Sequence, residues 1–575
     1  MLRKKSILAI ALTASAWALL CSLGETFAEE SGPTSVENFA LLDHEGKFHE
    51  LDYYCRMPSA KGVVLFIQGN GCPLVQKRIP ELKRLKEEYE AKGILFAMLN
   101  ANIQDERAEI AAEAKEFGIN MPILKDDAQL VAERLGVTRT AEAFLIDSKS
   151  KEVVYRGAID DRMTYQKEKP EAGNLYLRDA IEALIAGEQI AVRTSDSPGC
   201  KVALPEKDQL ITYADHVAPI LKSRCVACHT QGGLGPFAMS SYKKVKGWSD
   251  MIAEVLMTRQ MPPWHADPEY GKFANDCGIS PEETRTLVSW VDAGCPKGEG
   301  EDILVGYNPP APKWHLGEPQ KVIALPEQVI EAEGVFDYRY VTLDNPFDGD
   351  VWLTATEIRP GNTRVVHHVI VTAVHPEVNR LEKWVTGYAP GTEGSLYPEG
   401  SAVMVPKGWK FKFQLHYTAS GKHETDMTTL GLHYTTTPVE KEFKTKIVMT
   451  RDFKIPPGAY EYGTEKDFTV KSDTTVYALN PHMHYRGKRM SFEAEYPDGR
   501  KEVLLSVPNY NFNWQRTYHP ATPVEIPSGT KIVVRNAWDN SDLNPHNPDP
   551  NREVGWGDQT FEEMFFATIG YIEKN

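Results

Sequence analysis

Cysteine is scarce in this chain, supplying 8 of 575 residues, and none lies beyond Cys295. The part of the chain after Cys295 must therefore hold its fold without disulfides. Basic blocks are also missing. The net charge is −16 and no run of Lys and Arg offsets it, which argues against nucleic acid or an anionic membrane as a partner. Beyond the N-terminus, no stretch is long and apolar enough to cross a bilayer, so we predict no transmembrane anchor in the mature protein.

The N-terminus has the three parts of a secretory signal peptide. Basic residues at 3–5 precede an apolar stretch from Ile7 to Leu20, and Thr26-Phe27-Ala28 supplies a cleavage site. We predict that residues 1–28 are removed and that the protein is exported, to the periplasm or elsewhere outside the cytoplasm. Loss of Cys21 leaves seven cysteines, an odd number, so at least one thiol stays unpaired in an oxidising compartment.

The hydrophobic pattern predicts a multidomain protein. Residues 36–187 alternate buried-strand runs such as Val63–Ile67 with amphipathic helices, which predicts an α/β domain. A polar linker at 188–211 leads to an all-α domain at 212–298. From 312 onward, alternating apolar residues are punctuated by Pro and Gly turns, which predicts two consecutive all-β sandwiches, at 312–440 and 441–575.

The most specific short motif is a CxxCH in the helical domain. Two thiols at this spacing form thioethers to haem c, and the adjacent imidazole binds the iron. The residues concerned are Cys225, Cys228 and His229. The domain resembles small class I c-type cytochromes, which often carry the second axial Met just before a proline. This resemblance implies Met261 as the sixth ligand, with His265 as the alternative.

Two further cysteines flank a predicted helix in the same domain. Ser280-Pro281-Glu282-Glu283 has the features of a helix start, with an N-cap Ser, a Pro in the first turn and a capping-box Glu. Cys277 precedes this helix and Cys295 follows it. We predict a disulfide between them.

The α/β domain resembles the thioredoxin-like redoxins. Cys72-Pro73 stands at a strand-to-helix junction, where that family places its reactive thiol, and a helix N-terminus lowers the pKa of such a thiol. The chain also departs from the family. Val75 replaces the second cysteine of a CxxC, Gly69 the hydroxyl residue of peroxiredoxins, and Ala141 the usual cis-proline. Two interpretations remain open: an active redox thiol at Cys72, or a retained fold with an inert cysteine.

Histidines recur in the β half in an ordered set. The set comprises His367, His368, His416, His482 and His484, followed by Met564 near the C-terminus. Imidazole suits both oxidation states of copper, and a thioether favours Cu(I). His482 and His484 share one face of a strand. The adjacent His367 and His368 converge only at a strand end or a bulge.

This ordered set resembles the type II copper, ascorbate-dependent monooxygenases. The resemblance implies one copper on His367, His368 and His416 and a second, catalytic copper on His482, His484 and Met564. It implies an O₂-dependent enzyme that hydroxylates a C–H bond of a small molecule, with haem c as an electron relay. An ascorbate-like reductant or a periplasmic redox protein would be the external electron donor.

Two other functions remain open from the sequence. The first alternative is a non-enzymatic electron-transfer or copper-handling protein, whose metals never activate O₂. The second is a thiol-disulfide or peroxide oxidoreductase that uses Cys72, although the sequence shows no partner for this thiol within the CxxC spacing.

Overall fold

The computed structural model describes residues 35–205, 210–309, 313–378, 381–392 and 394–574. The predicted signal peptide at 1–28 lies outside the described residues. Within the described ranges, no helix has both the length and the apolar character needed to cross a membrane.

The N-terminal domain is a seven-stranded mixed sheet flanked by helices, in the order β2-β1-β5-β4-β3-β6-β7. Its strands are β1 (Ala40–Asp43), β2 (Phe48–Glu50), β3 (Gly62–Gln68), β4 (Ile94–Asn100), β5 (Ile123–Lys125), β6 (Ala143–Asp147) and β7 (Val153–Gly157). Its helices are α1 (Leu51–Cys55), α2 (Pro73–Tyr89), α3 (Arg107–Glu116), α4 (Leu130–Arg134) and α5 (Tyr176–Ala186). The predicted α/β domain is thus confirmed. Every residue of the central strand β3 is buried, because helices cover both of its faces.

The next part of the chain is helical. A π-helical turn at Tyr213–Val217 leads into α6 (Ala218–Arg224), followed by α7 (Tyr242–Lys246), α8 (Ser249–Met257) and α9 (Pro281–Asp292). The predicted capping box of α9 is present, since the Ser280 hydroxyl accepts from the Glu283 amide and the Glu283 carboxylate accepts from the Ser280 amide. Helices α7 and α8 are separated by Gly247 and Trp248.

The remainder is all β, as predicted, and contains several sheets. The first group comprises β8 (Lys321–Ala324), β9 (Gln328–Ile330), β10 (Arg339–Asp344), β11 (Val351–Arg359), β12 (Val366–Val374), β13 (Glu382–Tyr388), β14 (Ser395–Leu396), β15 (Ser401–Val405), β16 (Lys410–Tyr417), β17 (Glu424–Asp426), β18 (Thr429–Thr435) and β19 (Lys441–Glu442). Sheet β10-β16-β12-β13 packs on sheet β19-β15-β11-β18-β8 over an apolar core.

The second β group completes the chain. It comprises β20 (Lys444–Thr450), β21 (Lys454–Ile455), β22 (Tyr462–Thr469), β23 (Thr474–His482), β24 (Gly487–Glu495), β25 (Lys501–Val507), β26 (Val524–Ile526), β27 (Lys531–Trp538), β28 (Val554–Gly555) and β29 (Phe565–Glu573). Sheet β20-β29-β23-β26 packs on sheet β22-β27-β24-β25 around a second apolar core.

The buried side chains of the helical part belong to two apolar clusters, one shared with the α/β domain and one shared with the second β group. Tyr213 and Trp290 belong to one apolar cluster with residues such as Val131 of the N-terminal α/β domain, which we call the redoxin domain after its resemblance. Ala266 and Phe273 instead join the core of the second β group. The helical part is therefore packed against both the α/β domain and the second β group.

A buried ion pair fixes the redoxin–helical contact. Both Arg107 guanidinium nitrogens donate to the carboxylate of Asp267, at 2.8 and 2.9 Å. The Arg107 side chain is 5% exposed and that of Asp267 is 0% exposed. Such a pair favours one arrangement, because the Asp267 carboxylate without Arg107 would be a buried charge without its counter-ion.

One expectation about the middle of the chain is corrected. Cys277 and Cys295 are not joined by a disulfide. Cys295, after α9, is buried in an apolar cluster, whereas the half-buried Cys277 lies in the irregular segment before that helix. Part of the predicted linker at 188–211 is docked on the α/β domain. Its residues Arg193–Val202, which we call the arm, lie against the redoxin domain through backbone hydrogen bonds.

Candidate functional site

Cys72 is placed at the start of a long helix by the central strand. Strand β3 ends at Gln68, and a tight loop carries the chain to Cys72, the N-cap of α2, with Pro73 in the first turn. Proline suits this position because the first helical amides have no intrahelical acceptor. Two carboxylates hold the loop, since the Asn70 amide donates to Asp105 at 2.9 Å and the Gly71 amide donates to Glu113 at 2.5 Å. The position of Cys72 is thus fixed by β3 and α2, which flank the loop, and by the buried carboxylates that bind the loop amides.

The arm brings a second cysteine to this thiol. The Sγ atoms of Cys72 and Cys200 lie 2.8 Å apart, across 128 residues of sequence. The Thr140 hydroxyl lies 3.1 Å from the Cys72 sulfur and also accepts a hydrogen bond from the Cys200 amide at 2.9 Å. Cys72 is 4% exposed, whereas Cys200 is exposed. This is a dithiol pair whose members differ sharply in their access to solvent.

The surroundings make the two thiols unequal in acidity. Burial opposes ionisation of Cys72, but hydrogen bonds from the Cys200 thiol, from Thr140 and from the Val75 and Cys200 amides outweigh it and lower the pKa of Cys72. The same thiol contact, together with burial and the Cys72 charge, raises the pKa of Cys200. Cys72 is therefore the more acidic thiol of the pair, and the thiolate is the reactive form of a cysteine.

The CxxCH segment forms a compact turn after α6. The His229 amide donates to the Cys225 carbonyl at 2.9 Å, and the His229 Nδ1 lies 3.1 Å from the Phe237 carbonyl. Donation from Nδ1 leaves Nε2 as the free lone pair, and burial lowers the pKa of His229, which keeps the ring neutral. Gly235 packs closely against this ring, since a Cβ there would lie 2.6 Å from Nδ1. These residues fit a haem iron ligand.

Two candidate sixth ligands follow α8. Met261 is half-buried, whereas His265 is buried and its Nε2 has no hydrogen-bond partner. Burial lowers the pKa of His265 to about 4, so its imidazole is neutral. The two alternatives therefore remain: a thioether at Met261 or an orphaned imidazole at His265.

Three histidines converge in the first β group. The ligand atoms of His367, His368 and His416 lie within 4.8 Å of one another. His368 and His416 are direct cross-strand partners on β12 and β16, and the pairing register shifts between Val366 and His368. This irregularity is the bulge that adjacent histidines require in order to face one site. His367 Nε2 and His416 Nδ1 are buried without hydrogen-bond partners. Since buried polar atoms normally have a partner, these two nitrogens are candidate ligands of a cation.

The second set of histidines lies next to the first. The His368 and His482 ring centroids are 6.4 Å apart, and those of His482 and His484 are 5.2 Å apart. Phe512 stacks on His367 at 4.6 Å and meets the His484 ring edge-on at 5.9 Å. Burial lowers the pKa of His482 to about 4.

Met564 is tied to this site through the backbone. The Met564 amide and the His484 amide both donate to the buried Glu563 carboxylate, at 3.1 and 3.0 Å. Glu563 thus holds two of the expected ligand-bearing segments together. It also accepts from the Arg486 amide, and burial raises the pKa of Glu563 to about 7.

Comparison with known proteins bears on the N-terminal domain. Residues 34–156 match the AhpC/TSA family. The N-terminal domain is thioredoxin-like. It is 29% identical over 141 residues to the thiol-disulfide oxidoreductase ResA of Geobacillus thermodenitrificans, covering 23% of this chain and 78% of that protein. ResA of Bacillus subtilis is 27% identical over 156 residues, covering 26% and 84%.

Two solved structures are similar to part of this chain. A putative thiol:disulfide interchange protein DsbE from Chlorobium tepidum shares 17% identity, with a TM-score of 0.22, covering 27% of this chain and 96% of that one. A hypothetical protein from Sinorhizobium meliloti shares 25% identity, with a TM-score of 0.27, covering 30% and 92%.

The expectation of a copper- and O₂-dependent monooxygenase is wrong. The relatives of known activity are thiol-disulfide oxidoreductases, and they match the domain that carries Cys72. The comparisons therefore support the second alternative, an oxidoreductase centred on this thiol.

Sequence reasoning missed two residues of this site, Cys200 and Thr140. Both lie outside the CxxC spacing in which a partner for Cys72 was sought. The available signal was the odd cysteine count and the isolated Ser197-Pro198-Gly199-Cys200 in the linker. Neither feature points to Cys72, because Cys72, Thr140 and Cys200 lie close together only when the arm is docked.

Proposed function

We propose that the protein is a thiol-disulfide oxidoreductase in which Cys72 is the nucleophile and Cys200 the resolving thiol. The observation that carries this is the 2.8 Å separation of the two Sγ atoms. The opposite shifts of their pKa values support the same roles. Export through the predicted signal peptide agrees with this chemistry, because disulfides persist outside the cytoplasm.

In the reducing direction the chemistry runs through a mixed disulfide. The Cys72 thiolate attacks one sulfur of a substrate disulfide, and the other substrate sulfur leaves as a thiolate that takes up a proton. Cys200 then loses its proton and attacks the Cys72 sulfur. The Cys72–Cys200 bond forms, the mixed disulfide breaks, and the second substrate sulfur takes up that proton. Two electrons pass to the substrate, and an external dithiol reduces the pair again.

The test is reduction of insulin disulfides together with redox titration of the full chain in glutathione buffers. Wild type should form the Cys72–Cys200 disulfide and reduce insulin. Cys72→Ser should abolish turnover, and Cys200→Ser should accumulate the mixed disulfide. Cys55→Ser is the matched control, since Cys55 lies on α1, away from the pair. Full activity in Cys72→Ser would contradict the proposal.

We further propose that the helical part binds haem c through Cys225, Cys228 and His229, with Met261 or His265 as the other axial ligand. The contact of the His229 Nδ1 with the Phe237 carbonyl, which leaves Nε2 as the free lone pair, supports this. When bound, haem supplies one-electron redox chemistry. The role of this chain's residues is to attach it, to keep His229 neutral and to orient its ring through the Phe237 carbonyl.

We propose that the β half binds copper. His367, His368 and His416 would hold one ion, supported by their converging and unpartnered nitrogens. His482, His484 and Met564 would hold a second, with Gln515 orienting His482 through a 2.7 Å contact to its Nδ1. When bound, copper supplies one-electron redox chemistry. The buried rings remain neutral and so are available as ligands.

A further inference from the structure

The arm is paired with the redoxin domain along two backbone edges. Its first part runs parallel to β7, where the Arg156 amide donates to the Arg193 carbonyl and the Ser195 amide to the Arg156 carbonyl. Its last part pairs antiparallel with residues 138–140. There the Thr140 amide donates to the Cys200 carbonyl at 2.9 Å and the Val202 amide to the Thr138 carbonyl at 3.0 Å. The arm is therefore joined to the domain by an isolated β-bridge near each of its ends.

Side chains support the same placement. The Tyr165 hydroxyl donates to the Gly199 carbonyl and accepts from the Gly199 amide, both at 2.9 Å. The Ser197 hydroxyl donates to the Ala141 carbonyl at 2.8 Å. Arg139 donates to the Gly199 carbonyl at 3.1 Å. Gly199 is thus contacted from two sides by redoxin side chains.

Two glycines permit the close approach. A Cβ at Gly199 would lie 1.8 Å from the Thr140 carbonyl oxygen, and a Cβ at Gly157 would lie 2.4 Å from the Ser195 carbonyl oxygen. Both clashes are with backbone atoms, which cannot move aside as the end of a flexible side chain can. The fit of the arm therefore depends on the absence of side chains at these two points.

The docked arm occupies the approach to Cys72. Cys72 is 4% exposed, and its partner thiol comes from the arm. A substrate disulfide needs an open line to the Cys72 sulfur for the in-line attack. The arm must leave before another molecule can react, and it must return for Cys200 to resolve the mixed disulfide.

We propose that the arm is an intrachain occupant of a binding site for an extended, cysteine-bearing polypeptide segment. This rests on the proposed function. On release of the arm, the Thr140 amide and the Thr138 and Ala141 carbonyls become free for a visiting strand. Main-chain pairing of this kind gives affinity with little dependence on side chains. The substrate cysteine then takes the position of Cys200 beside Cys72.

The exchange balances as follows. The visiting strand carries a disulfide, Cys72 attacks its sulfur, and the sulfur bonded to it leaves as a thiolate that is protonated. Return of the arm lets Cys200 displace the substrate sulfur from Cys72. The arm thereby expels the reduced strand from the site that both occupy, and product release is coupled to closure of the Cys72–Cys200 bond.

The test uses the decapeptide Ser-Asp-Ser-Pro-Gly-Cys-Lys-Val-Ala-Leu, the sequence of residues 195–204, with its cysteine bonded to thionitrobenzoate. Attack by Cys72 on the peptide sulfur releases the coloured thiolate. The full chain carries Cys200→Ser so that only the first step is seen. Adding Gly199→Ala, which expels the arm, should raise the rate about fivefold or more, the factor expected from losing one ordinary hydrogen bond.

The matched control is Gly349→Ala, because no atom lies within 4 Å of the position of its added Cβ. It should leave the rate unchanged. A peptide methylated at the valine nitrogen should react more slowly, since it lacks the donor for the Thr138 carbonyl, whereas Ellman's reagent alone reacts without strand pairing. Tyr165→Phe is a second, milder release variant in case Gly199→Ala misfolds.

Each outcome decides between the two proposals. Unchanged rates in Gly199→Ala and Tyr165→Phe, or no effect of N-methylation, overturn the strand site while leaving the dithiol pair intact. Failure of wild type to form the Cys72–Cys200 disulfide in glutathione buffer overturns the proposed function itself. Faster reaction of hydrogen peroxide than of the peptide would assign the site to a small oxidant.

Discussion

The Cys72 sulfur lies 3.1 Å from the Thr140 hydroxyl, and that hydroxyl also holds the amide of Cys200 at 2.9 Å. One side chain therefore both stabilises the nucleophile and docks its partner. Thr140 occupies the loop before β6 that pairs with the arm, so the acidity of the thiol and the position of the arm share a cause.

This relationship predicts the pH dependence of Cys72 reactivity. The pKa of Cys72 is lowered from its ordinary 9.0, so iodoacetamide should react with a midpoint below pH 9. Thr140→Val should move the midpoint upward, because the valine donates nothing to the thiolate. Thr138→Val is the matched control: it is exposed and contributes only its backbone carbonyl. An unchanged midpoint in Thr140→Val would contradict the assignment.

The same shift has a consequence for stability. Because the folded pKa of Cys72 is depressed, its thiolate stabilises the reduced protein above the unfolded pKa. This contribution is lost as the pH falls through the folded value. Urea unfolding of reduced wild type and reduced Cys72→Ser should therefore differ most in alkaline solution and converge on acidification. A constant difference at all pH values would show that the thiolate is not stabilised by the fold.

Copper binding should depend on the histidine cluster. His416→Ala removes one of three converging ligands, and we expect the loss of about one copper per chain in equilibrium dialysis, or at least tenfold weaker binding. His433→Ala on β18 is the matched control, since it pairs with Ala355, on the other sheet. Equal copper content in the two variants would argue against the site.

Haem attachment should depend on the two thiols of the motif. After export in a host that matures c-type cytochromes, wild type should retain haem on a denaturing gel. The double variant Cys225→Ala, Cys228→Ala should retain none, because no thioether can form. Cys277→Ala should keep its haem, since that cysteine is outside the motif. Stainable haem in the double variant would contradict covalent attachment.

The Arg107–Asp267 pair should be costly to break. Asp267→Ala removes the carboxylate that binds both terminal nitrogens of a buried guanidinium, leaving only Glu269 at 3.3 Å from its Nε, and should lower the free energy of unfolding by about 3 kcal/mol. Replacing both residues by apolar ones, Arg107→Met with Asp267→Leu, should recover most of that loss. Lys77→Ala, which breaks an exposed pair with Glu168, should cost about 1 kcal/mol or less. Denaturation with guanidinium chloride measures all three.

Local features were predictable because they depend on short spacings. The apolar run Val63–Ile67 gave the buried strand, Ser280 gave the capping box, and adjacency of His367 and His368 required the bulge that β12 contains. Long-range pairing was not predictable in this way. The proximity of Cys72 and Cys200 depends on how 128 intervening residues fold.

The disulfide expected between Cys277 and Cys295 failed for a related reason. Flanking one helix says nothing about the direction in which each side chain points. Cys295 turns inward with a φ of 61° and is buried, so its thiol is part of an apolar cluster. Direction is set by packing, which pairwise spacing does not contain.

The shared cores of the helical part bear on how the chain can be divided. Its buried residues are split between a cluster with Val131 of the redoxin domain and a cluster with Tyr518 of the second β group. A cut at the arm would expose the side chains of the helical part that pack on the redoxin domain. A cut after α9 would expose those that pack on the second β group. The units that the sequence separates are therefore not separable modules. Fragments ending at those borders should expose apolar surface and aggregate. The smallest soluble fragment should contain the redoxin domain, the helical part and the second β group.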